Sequence, residues 1–448
     1  MTSSSPTTTA ERQSGVARAR DYCRRSAVPY LATLIVSYML AFQFNYLGGV
    51  LETDALVFKG QSPGIYVPLL LFPVAAALWL LYAGRPAKGW VLGFLGLLAF
   101  AWVVHLTITM AHGDMYTHAI WLYLPTLAMI ALKSPGRADA WTAVVVVAWT
   151  AATLLVVTRL LEIVGWVPMF KIPDLSATEW EKQNYWLPFS GYLGLNGRWP
   201  GPFGFNDKTG FMSAIIVIVA VQRWRWSSLL LGAIGLLGVM LTGGRGPYLA
   251  VLTGLGVLLL FSPRVPLVSR IPAWLRLSAV GAGAVALAGY FAFFTTAGVT
   301  GRGAIWAGFL DLWQTSPFIG AGQSAIWQAD GIVGAAMDAH SLYVQELTEY
   351  GIVGAIVQYG AVAVGLALAL RSAARGWPGP LAIVVAYLLA GVTNLLHDGW
   401  IAHSAYTLLV IAAVLSAAGG TRQQHGQPVS DPSSEHTPSI SEAPRSTP

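Results

Sequence analysis

The chain has 448 residues, of which 55% are hydrophobic and only 10% are charged, and its mean hydropathy is +0.59. A soluble core cannot bury so large an apolar fraction, so composition excludes an ordinary soluble domain and favours an all-α polytopic integral membrane protein. The single cysteine, Cys23, excludes an intrachain disulfide.

The two ends of the chain differ from the rest in composition. Residues 1–26 and 421–448 are rich in Ser, Thr and Pro and poor in apolar side chains. Such segments cannot bury enough apolar surface to offset the cost of ordering, so both are predicted to be disordered tails. The first apolar stretch follows a basic run without a small-residue cleavage site, which favours a retained helix over a cleaved signal peptide. A membrane domain is therefore predicted over residues 27–420.

Apolar stretches of spanning or near-spanning length occur throughout this domain. About 20 helical residues cross the roughly 30 Å hydrocarbon layer. On this criterion the sequence predicts twelve transmembrane helices, at residues 28–50, 65–83, 90–110, 116–132, 140–167, 208–222, 227–242, 246–261, 274–297, 342–370, 380–396 and 400–418.

The distribution of basic residues predicts the orientation of these helices. With a cytoplasmic N-terminus, most of the 26 Lys and Arg residues fall in inner segments, and each short inner loop carries at least two. Positive residues accumulate in cytoplasmic loops, so twelve spans with both termini cytoplasmic give a consistent count. The net charge of +6 is explained by topology, and no nucleic-acid partner is expected.

Two outer arginines lie in stretches interrupted by Gly and Pro. Arg198 is in NGRWPGPFGFNDKTG, residues 196–210, and Arg245 is in LTGGRGPYLA, residues 241–250. Pro247 fits the first position of the following helix, and a helix N-terminus beside an arginine is suited to binding an anion. A lipid-linked pyrophosphate is the anion expected at this membrane face. The alternative is that both side chains extend to outer headgroups.

Two sizeable extracytoplasmic loops are predicted, at residues 168–207 and 298–341. The first is rich in Trp and Tyr, which suits stacking on sugars or an interfacial location. The second contains apolar residues at helical spacing, typical of an amphipathic helix on the outer leaflet that covers the bundle: Ile305, Trp306, Phe309, Leu310 and Trp313. Arg302, at the start of this helix, is either a third phosphate contact or an interfacial anchor.

His340 lies where the second outer loop enters the next span. A neutral imidazole can accept the proton of an attacking hydroxyl, and Asp338 is placed to orient the ring. Glu346 and Glu349 share one helix face, and pairing with an arginine is expected rather than an isolated position in lipid, where a carboxylate is costly. Glu349 is also counted, with Asp338, among the predicted substrate-binding residues. The alternative for His340 is an ordinary polar loop residue.

Four segments between residues 196 and 357 resemble the O-antigen ligase and Wzy-type polymerase family of bacterial membrane proteins: GRWPGPFGFND, LTGGRGPYLAV, GRGAIWAGFLDLWQTSPFIGAGQS and AHSLYVQELTEYGIVG. The resemblance implies a GT-C-like fold and an inverting, metal-independent and cofactor-free glycosyltransferase. It would transfer a glycan from undecaprenyl pyrophosphate to a hydroxyl of a glycan, glycolipid or other acceptor at the outer face of the cell membrane. By position, Arg198 and Arg245 match the family's phosphate-binding arginines and His340 its essential histidine. Ser341 and Asp338 depart from residues that are frequent in the family, which leaves ligase and polymerase both open.

Two other classes remain as alternatives. A metal-dependent GT-C transferase would use Glu52 and Asp54 of the first outer loop as ligands for Mg²⁺ or Mn²⁺. A secondary transporter of twelve helices would place discontinuous helices and ionisable groups near the midplane. Arg159 and Glu162 are the midplane candidates, and their spacing predicts an internal ion pair.

Overall fold

A computed structural model of the chain describes residues 15–50, 66–113, 119–164, 199, 201–203, 206–263, 265, 268, 270–296, 302–328, 339, 341–392 and 401–418. Apart from one isolated bridge between Arg85 and Ser134, the regular structure of these residues is helical. The helices in chain order are α1 (Gly15–Arg25), α2 (Val28–Val50), α3 (Tyr66–Leu81), α4 (Gly89–Ala111), α5 (Ala119–Leu132), α6 (Arg137–Ile163), α7 (Asn206–Arg223), α8 (Trp226–Thr242), α9 (Arg245–Phe261), α10 (Ala273–Thr296), α11 (Arg302–Gln314), α12 (Gln323–Gln328), α13 (Leu342–Ala374), α14 (Gly379–Ala390) and α15 (Ile401–Ala418).

The predicted spans correspond one by one to α2–α10 and α13–α15, with ends that differ by a few residues. Three of these helices are long and apolar enough to cross a membrane, namely α4, α6 and α13. Seven other helices of the described part carry shorter apolar stretches. The all-helical class and the membrane character agree with the prediction, whereas the count of twelve spans and the GT-C-like architecture stay predictions.

The centre of the bundle is formed by α7 and α14. Residues 211–220 of α7 are all buried, and α14 is buried along almost its whole length. Helices that are apolar on every side are typical of such interior positions. Helix α9 packs on both of them, and Gly254 permits the approach because a Cβ there would collide with the side chain of Ile218. Large apolar side chains of α9 on the opposite side, such as Leu252, are exposed and suited to contact with lipid.

One end of the bundle gathers the termini of α2, α3 and α6. Asp139, in the first turn of α6, accepts a hydrogen bond of 2.9 Å from the backbone N–H of Ala27, just before α2. The Nζ atom of Lys133 donates to two carbonyl oxygens in the last turn of α3, at 3.0 and 3.1 Å. Arg137 lies over the ring of Trp377, in the turn before α14, at 5.0 Å from its centroid. These segments belong to one predicted side, so their contacts fit the predicted topology.

Helix α1 lies within residues 1–26, the segment that composition predicts to be a disordered tail. Its sequence, GVARARDYCRR, forms a regular helix whose side chains are all at least partly exposed. Arg25 and Asp21 form an ion pair of 2.8 Å across one turn, and the Arg24 carbonyl accepts from the N–H of Ala83 at 3.0 Å. Local pairs of this kind stabilise a short helix that lacks a buried face, and a composition-based prediction does not account for them. Residues 1–14 and 421–448 lie outside the described residues.

Helix α13 is broken near its start. Gly351 has φ 65° and ψ −167°, a conformation that is essentially restricted to glycine. The break frees backbone groups that residues 317–321 satisfy: Ala321 N–H donates to Thr348 O at 2.8 Å, and the N–H groups of Ile352 and Val353 donate to Pro317 O and Phe318 O at 2.9 and 3.0 Å. Residues 342–350 therefore form a separate helical segment at the start of the span predicted at 342–370, a break that the hydropathy pattern did not predict.

Candidate active site

The segments that carry Arg198 and Arg245 are in direct contact. Trp199, the residue after Arg198, donates its backbone N–H to Leu241 O at 3.1 Å, two residues before the turn at Gly243. Gly210 in α7 lies against Thr242, whose Oγ1 atom would be 2.7 Å from a Cβ at that position. The two stretches that the sequence assigns to one anion therefore lie side by side.

The turn between α8 and α9 has the geometry of an anion-binding helix start. Gly243 ends α8 in the left-handed region with φ 59°, and Gly244 then adopts an extended conformation as the N-cap of α9. Arg245 is the first residue of α9, and Pro247 lies in its first turn, two positions later than the sequence predicts. The positive dipole end of α9 favours negative charge at this turn, and the Asp207 carboxylate already lies there, since its Oδ1 atom would be 2.5 Å from a Cβ at Gly244.

Glu162, near the end of α6, binds the side chain of Trp199, the residue after Arg198. Its buried carboxylate accepts from the indole Nε1 of Trp199 at 3.0 and 2.8 Å and forms a 3.1 Å ion pair with Arg159. The ion pair confirms the interpretation of Arg159 and Glu162 as an internal pair. The contact with Trp199 was not predicted, and it fixes the residue next to Arg198 to the end of α6.

The second half of the site surrounds Ala339, the residue directly before His340. Ala339 is fully buried against Phe309 of α11 and Ile326 of α12. Its N–H donates to Gln345 Oε1 at 2.9 Å, and its carbonyl accepts from Trp306 Nε1 at 2.8 Å. Helix α11 thus packs on α13 and lies against Ala339.

Helix α14 connects the two halves. The ring of Tyr387 packs edge-on against Phe211 near the start of α7, with centroids 6.1 Å apart. Gly391, just after α14, accepts from the N–H of Leu342 at 2.8 Å, and the Tyr343 hydroxyl donates to Leu388 O at 2.7 Å. The starts of α7, α9 and α13 therefore lie at the same end of the bundle, which is the arrangement a shared site requires.

Several predicted site residues cannot be placed. Arg198, Asp338 and His340 lie outside the described residues, and for Arg245 and Arg302 the structure describes the backbone at the first position of α9 and α11 but not the side chain. Glu349 is buried, and its Oε1 atom accepts a hydrogen bond from Gln345 Nε2. The arginine partners expected for Glu346 and Glu349 stay a prediction.

The sequence analysis missed a buried histidine. His105 of α4 places its Nε2 atom 2.7 Å from Glu346 Oε1, with side-chain exposures of 6% and 2%, and its ring stacks on Tyr350 with centroids 4.1 Å apart. Gly354 leaves room for this ring, since a Cβ there would be 3.3 Å from two of its atoms. The sequence feature that could have identified His105 is its position as an ionisable residue inside an apolar span. The described residues therefore contain a second buried ionisable pair, His105 and Glu346, in addition to Arg159 and Glu162.

The described residues contain no group of three or more His, Cys, Asp or Glu side chains that could hold a metal ion. Glu52 and Asp54, the ligands of the metal-dependent alternative, lie outside them. The broken α13 and the buried His105–Glu346 pair are features that secondary transporters also have.

The sequence model of a protein family described as O-Antigen ligase matches residues 229–359. The match extends from α8 past the break in α13, so it contains Arg245, Arg302, His340 and Glu349 but not Arg198. It supports the O-antigen ligase family, and with it a membrane enzyme that transfers glycans in the cell envelope; it does not distinguish a ligase from a polymerase. No curated protein matches the chain.

Proposed function

We propose that the protein is an inverting glycosyltransferase that moves a glycan from undecaprenyl pyrophosphate to an acceptor hydroxyl at the outer face of the cell membrane. The observation that carries the proposal is the match of residues 229–359 to the O-antigen ligase family, because it covers the segments of Arg245 and His340. The contact of Trp199 with Leu241 supports it further, since it places the neighbour of Arg198 beside the start of α9.

In the proposed reaction the acceptor oxygen attacks the anomeric carbon as the bond to the lipid pyrophosphate breaks. The acceptor proton passes to the imidazole of His340, and the pyrophosphate leaves with the electron pair of the broken bond. Arg198, Arg245 and the N-terminus of α9 neutralise the charge that develops on the pyrophosphate. Arg302 is a third candidate for this contact. A good leaving group and a positioned base supply what the transfer requires, so we propose a reaction independent of metal and of other cofactors.

The decisive experiment measures glycan transfer by purified protein from a lipid-linked donor to an acceptor. His340→Ala should lower the rate by about a hundred- to ten-thousand-fold, the usual contribution of a general base. Arg245→Ala should lower it by about ten- to a hundred-fold, and Lys should rescue only in part because a point charge does not reproduce a forked contact with phosphate. Arg225→Ala, at the exposed N-cap of α8, is the control and should leave the rate unchanged.

The outcomes separate the alternatives. A substantially active His340→Gln would remove His340 from the role of base, because glutamine can donate a hydrogen bond but cannot take up a proton near neutral pH. Loss of turnover in a chelator, with recovery on addition of Mg²⁺ or Mn²⁺, would favour the metal-dependent reading. Export of a glycolipid without cleavage of its pyrophosphate bond would favour a transporter.

The glycan that accumulates on the lipid carrier after deletion of the gene distinguishes a ligase from a polymerase. A ligase defect should leave full-length chains on the lipid carrier, and a polymerase defect should leave single repeat units. We propose the ligase reaction, with the polymerase as the alternative, and the accumulated lipid-linked glycan decides between them.

A further inference from the structure

Ala339 is held at both of the peptide groups that flank it. Gln345 Oε1 accepts from its N–H, and Trp306 Nε1 donates to its carbonyl oxygen, at 2.9 and 2.8 Å. The indole of Trp306 therefore restrains the planar peptide group that contains the Ala339 carbonyl, which is the peptide group directly before His340 in the chain. The methyl group of Ala339 is fully buried against Phe309 and Ile326.

The orientation of the Gln345 amide is set by Glu349. Both side chains are buried and lie one turn apart on α13, and Gln345 Nε2 donates to Glu349 Oε1. In this orientation the amide nitrogen donates to the carboxyl oxygen of Glu349 and the amide oxygen accepts from Ala339, so each Gln345 atom meets a complementary partner. The reverse orientation would place two donors against each other at Ala339.

We propose that Gln345, Glu349 and Trp306 are positioning residues that fix the backbone at His340 and thereby aim its imidazole at the acceptor hydroxyl. The proposal rests on the proposed function, in which His340 is the base. Proton transfer requires the base within hydrogen-bonding reach of the acceptor, and a displacement of about 1 Å can cost about a hundred-fold in rate. In this proposal Glu349 orients the amide of Gln345, and Gln345 in turn holds the backbone N–H of Ala339.

The first test is a reciprocal exchange. Gln345→Glu places two carboxylates against each other, and Glu349→Gln removes the carboxyl partner, so each single variant disturbs the hydrogen bond to Ala339. The double variant restores it, because Glu at 345 accepts from Ala339 and Gln at 349 donates to the other carboxylate oxygen. Each single variant should lose about ten- to a hundred-fold in kcat with little change in the KM for the donor, and the double variant should recover most of the loss.

A double variant that is no more active than the weaker single variant would overturn the proposal. Trp306→Phe should also lower kcat, because it removes the donor to the Ala339 carbonyl and keeps an aromatic ring. Its control is Trp313→Phe on the same helix: Trp313 Nε1 donates to Pro317 O at 3.0 Å, so the change costs an equivalent hydrogen bond away from His340. An equal loss of kcat in both variants would show a general effect of α11 and contradict positioning.

A double-mutant cycle with His340→Ala separates failure of this inference from failure of the proposed function. If Gln345 acts through His340, Gln345→Glu should not lower the residual transfer of His340→Ala any further. If it lowers the residual rate by the same factor as in the native protein, the positioning role is wrong while the base remains. If His340→Ala itself keeps full activity, the proposed function is wrong. Thermal unfolding of each purified variant checks that it is folded.

Discussion

At the scale of single residues, Glu162 shows how a buried charge is tolerated in this bundle. Its side chain is fully buried and is matched by the Arg159 guanidinium, whose side chain is 18% exposed, and by the indole of Trp199. A buried carboxylate is costly unless charge and hydrogen bonds compensate it, and here it has both. Because Trp199 adjoins Arg198, this compensation also ties α6 to the predicted anion site.

Replacing Glu162 should therefore affect stability first. Glu162→Ala removes the counter-charge of Arg159 and the acceptor of a buried indole, and breaking a buried pair in this way costs about 3 to 5 kcal/mol. Glu162→Gln keeps an acceptor for Trp199 and should cost less. The midpoint of thermal unfolding of detergent-purified protein measures both. Equal midpoints for Glu162→Ala and the native protein would show that the pair contributes nothing to stability.

At the scale of elements, the break in α13 divides the helix into a part long enough to span the membrane and a part beside the candidate site. Nine residues precede Gly351 and 23 follow it, and the second part is about 35 Å long at 1.5 Å per residue. The part after Gly351 is long enough to span, and the part before Gly351 carries Gln345 and Glu349 beside the site. Backbone groups that a break frees must find other partners when they are buried, and residues 317–321 supply them here.

The break should not tolerate a side chain. A Cβ at Gly351 would collide with the backbone of Phe318 and Gly320, and the conformation at Gly351 is strained for any residue with a Cβ. Gly351→Ala should lower the yield of folded protein or the rate of transfer strongly. Gly360→Ala on the same helix is the matched control, because nothing lies within 4 Å of a Cβ there, and it should be neutral or slightly stabilising. Equal behaviour of the two variants would contradict a structural role for the break.

Hydropathy predicted the helices well and their irregularities poorly. The positions of α2–α10 and α13–α15 follow from apolar runs, because every spanning segment must satisfy its own backbone as a helix. The break at Gly351 depends on hydrogen bonds from residues about 30 positions earlier, and the apolar pattern continues through it. The support of Ala339 by Trp306 and the pairing of Glu346 with His105 likewise join residues far apart in sequence. Local pattern contains no information about such contacts.

At the scale of the whole molecule, the described contacts sort the connecting segments into two groups. The first group joins residues around Ala27, Lys133 and Trp377, and the second joins the starts of α7, α9 and α13. Basic residues are frequent in the first group, so charge predicts that it faces the cytoplasm and that the site faces outward. The proposed reaction needs this arrangement, because the donor glycan and its acceptor are expected at the outer face.

Labelling with a membrane-impermeant thiol reagent tests this orientation in intact cells. Cys23 is the sole cysteine of the chain and lies in α1, so the native protein should not be labelled from outside, which provides an internal control. In a Cys23→Ser background, Ser324→Cys in α12 should be labelled from outside and Ser134→Cys only after permeabilisation. Labelling of Ser134→Cys in intact cells, with protection of Ser324→Cys, would invert the topology. It would place the candidate active site on the cytoplasmic side, where the proposed reaction could not reach an outer acceptor.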